Sequence, residues 1–284
     1  MFMNGIKELD HGQVLSLLPD RDPNGHKGTF GKILLLCGSR GFTGAAYLAA
    51  MGALRCGAGL VFLGVPESIY AIEAVKLNEP VVFPLPDEKG MYSVEAAECI
   101  LNRLSDVDAV LIGCGMGKSK GTFTVLETVL KEAKCPVVVD ADGINLLQNH
   151  MDLLHGRAYP TILTPHEGEF RRIASLSGDR VESAAKLARY SGTIVLLKGH
   201  RTCVTDGNQC YINSTGNPGM ATGGSGDVLG GMIVGLLGQG ILPMEAAACG
   251  AWLHGAAGDI CAKEMGQYAM LPTDMLNVLP RLLK

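Results

Sequence analysis

The sequence lacks four features that would each point to a different class of protein. No stretch reaches the roughly 20 apolar residues of a membrane-spanning helix, and residues 1 to 23 have no continuous apolar segment of the signal-peptide kind. The nine cysteines form no Cys-x-x-Cys pair, so their spacing gives no support to a zinc site and is typical of reduced thiols in a core. The basic residues are scattered in a chain of net charge −4, which argues against a nucleic-acid surface. We therefore expect a cytoplasmic protein that binds neither nucleic acid nor membrane.

The chain also lacks internal repeats, low-complexity segments and a convincing linker. Hydrophobic residues make up 47% of the sequence and charged residues 18%, so a large buried core is expected. Although length alone would allow two domains, α/β folds of this size often form one. We predict a single domain over residues 1–284.

Short apolar runs alternate with longer helical patterns, which indicates an α/β fold. The predicted strands are 32–37, 60–65, 109–113, 137–140, 161–163 and 193–198, and the predicted helices are 44–56, 122–134, 227–238 and 244–263. Because these strands are apolar throughout, both faces of the sheet should be covered, as in a mostly parallel sheet between helix layers. Two further short strands, 202–205 and 209–212, flank an Asp-Gly-Asn turn and predict an antiparallel edge.

The most informative motif is the glycine-rich segment from Asn217 to Asp227, which leads directly into an apolar helix. Glycines let backbone amides approach a ligand closely, and a helix N-terminus carries unpaired donors that attract phosphate. Asp227 would then stand beside a bound anion, where it suits the role of general base in phosphoryl transfer. The helix start should also favour its ionised form. The alternative is a helix-capping aspartate after a flexible loop.

Two more glycine-rich turns follow predicted strands. The turn from Gly38 to Ala46 joins a strand to a helix, and the small side chains of Ala45 and Ala46 would let a bulky ligand rest on the helix start. The turn from Gly113 to Gly117 misses the P-loop spacing by one position. In both turns a ligand contact and plain close packing are about equally favoured by the spacing.

Polar residues follow three other predicted strands. His166 and Glu169 are three residues apart and share one face if they open a helix, so one could touch substrate and the other orient metal-bound water. Asp140 ends a strand at a position where carboxylates often meet metal or substrate. The segment from Lys198 to Thr202 could meet a nucleotide phosphate. The alternatives are a first-turn acid for Glu169 and a tight turn with a solvated lysine.

Taken in order, these motifs resemble the NAD(P)H-hydrate dehydratase family, also called the C-terminal YjeF or carbohydrate-kinase-like domain. They span roughly residues 26 to 280, nearly the whole chain. The matching segments are 27–31, 38–46, 113–117, 140–142, 163–170, 198–202 and 217–227. The resemblance implies a ribokinase-like, three-layer α/β/α sandwich. One departure is Gly143, where the family pattern has a larger residue, commonly alanine.

The resemblance also implies an activity. The substrate would be the S epimer of NADH or NADPH hydrated at C6 of the nicotinamide ring (NADHX or NADPHX). The enzyme would dehydrate it with Mg²⁺ and ADP, releasing AMP and phosphate; ATP is the co-substrate of eukaryotic relatives. Family likeness further suggests a homotetramer that cooperates with a separate NAD(P)H-hydrate epimerase. Many relatives carry an N-terminal epimerase domain, which we expect to be absent here.

Family roles carry over to matching positions of this chain. The hydrate would contact Ala45 or Ala46, Gly117, His166 and Asp227, and Glu169 would hold a metal through water. The nucleotide would contact Lys198, Gly199, His200, Arg201, Thr202 and Gly226. Asp227 would be the catalytic base, and amides near Gly224, Ser225 and Gly226 would stabilise the developing negative charge, each such donor being typically worth about 3 kcal/mol.

Two other functions stay open at this point. A small-molecule kinase of the same fold, such as a thiazole or pyrimidine-alcohol kinase, shares the Gly-Gly-Ser-Gly-Asp sequence but would yield a stable phosphorylated product. A non-catalytic nucleotide sensor would retain its function after Asp227→Asn. The Thr164–Phe170 motif and the paired turns at 38–46 and 113–117 favour the dehydratase.

Overall fold

The computed structural model describes residues 5–284; Met1 to Asn4, the start of the segment without a signal-peptide pattern, lie outside the described residues. Ten strands form one sheet in the order β1-β12-β11-β10-β9-β8-β7-β2-β3-β4, and β5 and β6 form a separate hairpin. The strands are β1 (Ile6–Lys7), β2 (Lys32–Leu36), β3 (Leu60–Pro66), β4 (Val81–Leu85), β5 (Asp87–Glu88), β6 (Met91–Tyr92), β7 (Ala109–Ile112), β8 (Val137–Val139), β9 (Thr161–Leu163), β10 (Ile194–Leu197), β11 (Cys203–Thr205) and β12 (Cys210–Ile212).

The sheet is parallel from β10 to β4 and antiparallel where β10, β11 and β12 pair, which confirms the predicted edge. Strand β1 adds a further parallel partner beyond β12. Successive side chains of a strand point to opposite faces, so Leu34 and Leu35 belong to different apolar clusters. Both faces are covered by helices.

Helices form a layer on each side of the sheet, as the predicted three-layer sandwich requires. Helices α2, α3, α9 and α10 cover one face, while α4, α5 and α6, followed by α7 and α8 near the antiparallel edge, cover the other. The helices are α1 (His11–Leu17), α2 (Thr43–Arg55), α3 (Glu67–Lys76), α4 (Ala96–Leu104), α5 (Lys120–Glu132), α6 (Asp142–Leu146), α7 (Glu167–Ile173), α8 (Arg180–Ser191), α9 (Ser225–Gly238), α10 (Pro243–Met265) and α11 (Pro272–Val278). From residue 5 onward, none of these helices is both long and apolar enough to cross a bilayer.

The predicted strands and helices are all present, and their ends differ from the prediction by at most two residues. The elements that were not predicted are short or partly exposed. Strand β4 is an example, because it lies at the edge of the sheet and contains Pro84, so it lacks a continuous buried apolar run. The nine cysteines are free, and all except Cys99 are buried, as expected for reduced thiols.

Small residues bring helices α2 and α9 into direct backbone contact. A Cβ atom added to Gly231 would lie 2.1 Å from the carbonyl oxygen of Ala49, and one added to Gly235 would lie 2.6 Å from that of Ala53. On the other helix, a Cβ on Gly52 would lie 2.5 Å from the carbonyl oxygen of Val228. Glycine is therefore required at these three positions, and the contact fixes α9 against α2.

We expect Gly231→Ala to lower the free energy of unfolding by about 1–3 kcal/mol, because overpacking outweighs the better helix propensity of alanine. Urea denaturation would measure the change. Gly44→Ala is the matched control, since Gly44 lies in the first turn of α2 with no neighbouring atom within 4 Å of its added Cβ. Equal stability of Gly231→Ala and the native protein would show that the two helices are not in such close contact.

Candidate active site

The candidate site lies at the carboxyl ends of the parallel strands, where the strand order changes direction. The chain runs from β2 to its neighbour β3 on one side, whereas β7 pairs with β2 on the other. The turns that follow β2 and β7 therefore lie side by side. The amide of Gly38 donates to the carbonyl of Cys114 at 2.7 Å, and the Ser39 hydroxyl donates to that of Gly115 at 2.7 Å. Ligands of open α/β sheets bind in such crevices.

A cavity of about 980 Å³ opens beside this point, between α9, the turn after β10 and the segment that precedes α9. It is within the size range of small-molecule sites. The structure thereby brings together most of the residues predicted from sequence. The predicted residues in its lining are His166, Lys198, Gly199, His200, Arg201, Thr202, Gly224, Ser225, Gly226 and Asp227.

Helix α9 presents an open N-terminus to this cavity. Its N-cap residue, Gly224, has φ +93° and no side chain, and a Cβ there would lie 2.4 Å from the Leu48 side chain. Within residues 5–284, the amides of Gly226 and Asp227 donate no hydrogen bond, whereas the Ser225 amide donates to Thr222 at 3.4 Å. The free amides and the helix dipole form an anion site. Amides near Gly224, Ser225 and Gly226 were predicted to stabilise developing negative charge, and the Ser225 amide already donates one long hydrogen bond within the protein.

Lys198 lies over this helix start and carries a buried ion-pair network. Its ammonium is 2.7 Å from Asp140 Oδ1 and 3.8 Å from Glu169 Oε2. A Cβ on Gly226 would approach Lys198 Nζ to 3.3 Å, so glycine keeps the space beside the ammonium open. Desolvation acts to lower the pKa of Lys198, but the charges of Asp140 and Glu169 prevail and raise it. The lysine is therefore a permanent cation, and the alternative of a solvated lysine does not hold.

The Asp227 carboxyl lies in the first turn of α9 and has a raised pKa. Burial raises the pKa to about 6, and the charge of Asp140 adds to the effect, while a hydrogen bond from Cys114 and the charge of Lys198 oppose it. The sequence analysis expected the helix start to favour the ionised form, but desolvation outweighs that effect here. A carboxylate with this pKa is mostly ionised at neutral pH and is basic enough to accept a proton.

His166 and Glu169 close the site from the side of α7. The His166 ring caps α7, since its Nδ1 accepts the amides of Gly168 at 2.9 Å and Glu169 at 3.2 Å, and its Nε2 lies 3.3 Å from Glu169 Oε1. Its side chain is 56% exposed and lines the cavity. Glu169 is buried, accepts the His166 amide at 2.8 Å, and has its pKa raised mainly by burial. Glu169 therefore caps α7, which agrees with the alternative interpretation of this residue as an acid in the first turn of a helix.

The predicted substrate residues Ala45, Ala46 and Gly117 lie beside the large cavity but do not line it. Ala46 is fully buried, and Ala45 is 9% exposed against the turn that holds Gly115. The amide of Gly117 donates to Asp142 Oδ2 at 2.9 Å. These residues border the crevice between the turns after β2 and β7, so a ligand reaching them must extend out of the large cavity.

The start of α2 provides a second open helix N-terminus at this crevice. In the part of the chain that the structure describes, no side chain caps α2, and the amides of Thr43 and Gly44 donate no hydrogen bond. Two open helix ends, those of α2 and α9, thus meet at the same edge of the sheet. Their proximity follows from the backbone contact between the two helices.

Two polar residues of α10 that were not predicted from the sequence support the site. The Ser225 hydroxyl lies 3.3 Å from His254 Nε2, and burial lowers the pKa of this imidazole to about 4, so it is neutral. Asp259 accepts the Gly216 amide at 2.8 Å and the Asn217 side-chain amide at 2.9 Å. The signal was available, because both are polar residues in a helix otherwise rich in alanine and glycine.

The side chains of the site suit Mg²⁺ only if phosphate groups of a ligand supply part of its coordination. No group of three or more His, Cys, Asp or Glu side chains in residues 5–284 is arranged to hold a metal by itself. Mg²⁺ commonly keeps several waters and binds through one or two carboxylates and substrate phosphates. Asp140 lines the cavity and is placed for that role, whereas the buried Glu169 would reach such an ion only through water.

Gly143, the one departure from the family pattern, has a local steric reason. A Cβ there would lie 2.8 Å from the Val139 side chain and 3.1 Å from the carbonyl of Ile112. The amide of Gly143 also donates to the carbonyl of Asp140 at 2.9 Å. Glycine therefore lets the turn after β8 close tightly beneath Asp140 without displacing the acid that binds Lys198.

Comparison with known proteins places this geometry in a family. The family model described as NAD(P)H-hydrate dehydratase matches residues 33–281. The bifunctional NAD(P)H-hydrate repair enzyme of Moorella thermoacetica is 47% identical over 95% of this chain and 52% of its own length. The ADP-dependent (S)-NAD(P)H-hydrate dehydratase of Bacillus subtilis is 34% identical over 95% of both chains. The chain spans about half the length of the bifunctional relatives it matches.

Solved structures agree with the fold. A ribokinase-like superfamily protein from Enterococcus faecalis superposes with a TM-score of 0.87 at 27% identity, over 100% of this chain and 97% of its own. The ADP/ATP-dependent NAD(P)H-hydrate dehydratase of B. subtilis, co-crystallized with ATP and Mg²⁺, gives a TM-score of 0.82 at 32% identity, over 99% and 98%. The ribokinase-like fold is thereby confirmed, and the chain belongs to the NAD(P)H-hydrate dehydratase family.

Proposed function

We propose that the protein is an ADP-dependent dehydratase of the S epimer of hydrated NADH and NADPH. The observation that carries the proposal is Asp227, a carboxylate with a pKa of about 6, held beside the open start of α9 and the ammonium of Lys198. This combination provides a base, an anion site and a fixed positive charge in one cavity. The relative named ADP-dependent (S)-NAD(P)H-hydrate dehydratase supports the choice of substrate and nucleotide.

The chemistry begins with a poor leaving group. The C6 hydroxyl of the hydrate attacks the terminal phosphoryl group of ADP, Asp227 takes the hydroxyl proton, and AMP leaves. The free amides of Gly226 and Asp227 and the charge of Lys198 stabilise the developing negative charge. The ring nitrogen then donates its electron pair as the C6–O bond breaks. Phosphate departs, the iminium ion that results loses a proton from C5 to the departing phosphate, and the dihydronicotinamide ring is restored.

The lining of the cavity divides between the two substrates. The turn from Lys198 to Thr202 and Gly226 would bind the nucleotide, and the His166 ring, which lines the cavity, would contact the hydrate. Ala45 or Ala46, together with Gly117, would contact the remainder of the dinucleotide. When bound, Mg²⁺ would neutralise phosphate charge beside Asp140 and Glu169.

Several properties belong to the same proposal. We propose a cytoplasmic homotetramer that cooperates with an epimerase activity, which would convert the R epimer into the S epimer. The bifunctional repair enzymes among its relatives support a functional link to a second repair activity. Gel filtration with light scattering would measure the number of chains in the assembly.

The test is recovery of absorbance at 340 nm from chemically hydrated NADH, with Mg²⁺ and either ADP or ATP. We expect recovery with ADP and, for Asp227→Asn, a loss of at least a hundredfold in kcat, since a general base typically contributes about 10²–10⁴-fold. AMP and phosphate should form in equal amounts. A stable phosphorylated small alcohol in place of recovered NADH would favour a kinase. Folded, active-site-intact protein that restores no absorbance with either nucleotide would refute the dehydratase.

The pH dependence should follow Asp227. Because the ionised form is the base, kcat/KM should fall about tenfold per pH unit below roughly pH 6. The stability effect has the opposite sense. A carboxyl group whose pKa is higher in the folded state binds its proton more tightly when the protein is folded. Ionisation of Asp227 therefore does not affect the free energy of unfolding at pH values below its unfolded-state pKa, and it lowers that free energy as the pH rises through about 6.

Asp227→Asn should therefore raise the midpoint of thermal unfolding at pH 7.5 by roughly a few degrees and leave it unchanged near pH 3. Differential scanning fluorimetry at both pH values measures this. A midpoint that falls at neutral pH would mean that Asp227 makes a stabilising contact as a carboxylate. Asp152→Asn is the matched control, because Asp152 is exposed. Asp206→Asn is not suitable, because the Asp206 side chain caps the hairpin turn.

Asp259 should act on nucleotide binding through the segment that precedes α9. Asp259→Ala removes both hydrogen bonds to Gly216 and Asn217, so we expect the KM for ADP to rise about tenfold, consistent with losing hydrogen bonds to a charged group. Steady-state kinetics at varied ADP measure it. An unchanged KM would show that the segment holds its position without α10.

A further inference from the structure

A second cavity, of about 450 Å³, shares no lining residue with the first. It lies against the turn after β2, helix α3 and the hairpin formed by β5 and β6. The side chains of Ile69 and Ile72 supply an apolar floor, while Arg40 and Lys89 lie on its exposed rim. The cavity thus combines a surface for a flat apolar ring with two cations.

The charges of this cavity are unbalanced. Neither Arg40 nor Lys89 forms a salt bridge within the described residues. Its one carboxylate, Asp87, is already engaged, because one oxygen accepts the Ser68 amide at 3.2 Å and the other accepts the Gly90 amide at 2.9 Å. Two positive groups therefore face the cavity without a free carboxylate as a partner, which favours an anionic ligand.

The open end of α2 connects this cavity with the crevice of the active site. Thr43, the first residue of the 13-residue helix, lines the cavity, and its amide is among those without a partner in residues 5–284. Two residues further along, Ala45 faces the turn that holds Gly115. One ligand lying across the start of α2 would therefore reach both places.

Lys89 has a left-handed backbone conformation, which lysine rarely adopts. It is the first residue of a two-residue hairpin turn in which Lys89 has φ +56° and Gly90 has φ +82°. Asparagine or aspartate usually stands at the first position of such a turn, because a side chain like that of lysine is disfavoured there. Gly90 is required, since its Cβ would lie 2.3 Å from that of Arg40. The turn thus places Lys89 at the rim of the same cavity as Arg40, at a cost in local stability.

We propose that this cavity binds the adenosine half of the dinucleotide substrate, with Arg40 and Lys89 binding the 2′-phosphate that distinguishes NADPH hydrate from NADH hydrate. The adenine ring packs on the exposed side chain of Ile72, and the open start of α2 binds phosphate oxygens. The inference rests on the proposed function and names a preference for the phosphorylated dinucleotide. It places the two ends of the substrate on opposite sides of the turn after β2.

The test compares hydrated NADPH with hydrated NADH in Arg40→Gln, in Lys89→Asn and in the double variant. We expect the KM for hydrated NADPH to rise about tenfold in each single variant, while the KM values for hydrated NADH and for ADP change less than twofold. Lys89→Asn installs a residue that the turn prefers, so the variant should be at least as stable as the native protein. Lys186→Gln, at an exposed position of α8, is the matched control.

Binding of NADPH and NADH by calorimetry separates this inference from the proposed function, because it needs no turnover. Weaker binding of NADPH alone in both single variants supports the cavity assignment even if the native protein dehydrates neither hydrate. Native-like NADPH binding in the double variant, or an equal loss for NADH and NADPH, overturns the assignment and leaves the dehydratase proposal intact.

Discussion

The backbone contact between α2 and α9 is the constraint on which the rest of the site depends. Gly231 and Gly235 remove the side chains that would separate the helices, and Gly52 does the same from the other side. Both helices then start at the same edge of the sheet, beside the carboxyl ends of β2 and β7. An anion site at α9 and a second open end at α2 follow from that packing. Without the glycines the two helix ends would lie farther apart.

The chemistry of the site depends on how buried charges are balanced. Lys198 stays protonated because the charges of Asp140 and Glu169 outweigh its desolvation. Burial raises the pKa of Asp227, and the charge of Asp140 adds to that rise. One acid therefore keeps the cation in place and helps to make the neighbouring carboxylate more basic. His254 contributes no charge, since burial keeps its ring neutral beneath Ser225.

The sequence predicted the strands whose residues are buried on both faces of the sheet, and it predicted the glycine-rich turns that border the cavity and the crevice. Strand β4 was not predicted because an edge strand lacks the two-sided apolar pattern. The pairing of Lys198 with Asp140 could not be derived, since these residues are far apart in sequence and only the order of the strands brings them together. The pKa of Asp227 also required structure, because local sequence indicates the helix dipole but gives no measure of burial.

The meeting of two open helix ends has a consequence for how the ligands bind. Two anionic ligands at the starts of α2 and α9 would repel each other across the crevice, so the affinity of either would depend on whether the other is present. Because linkage is reciprocal, each ligand must change the affinity of the other by the same factor. A cation that screens the gap reduces that repulsion. Binding of the second ligand is therefore the step most sensitive to ionic strength.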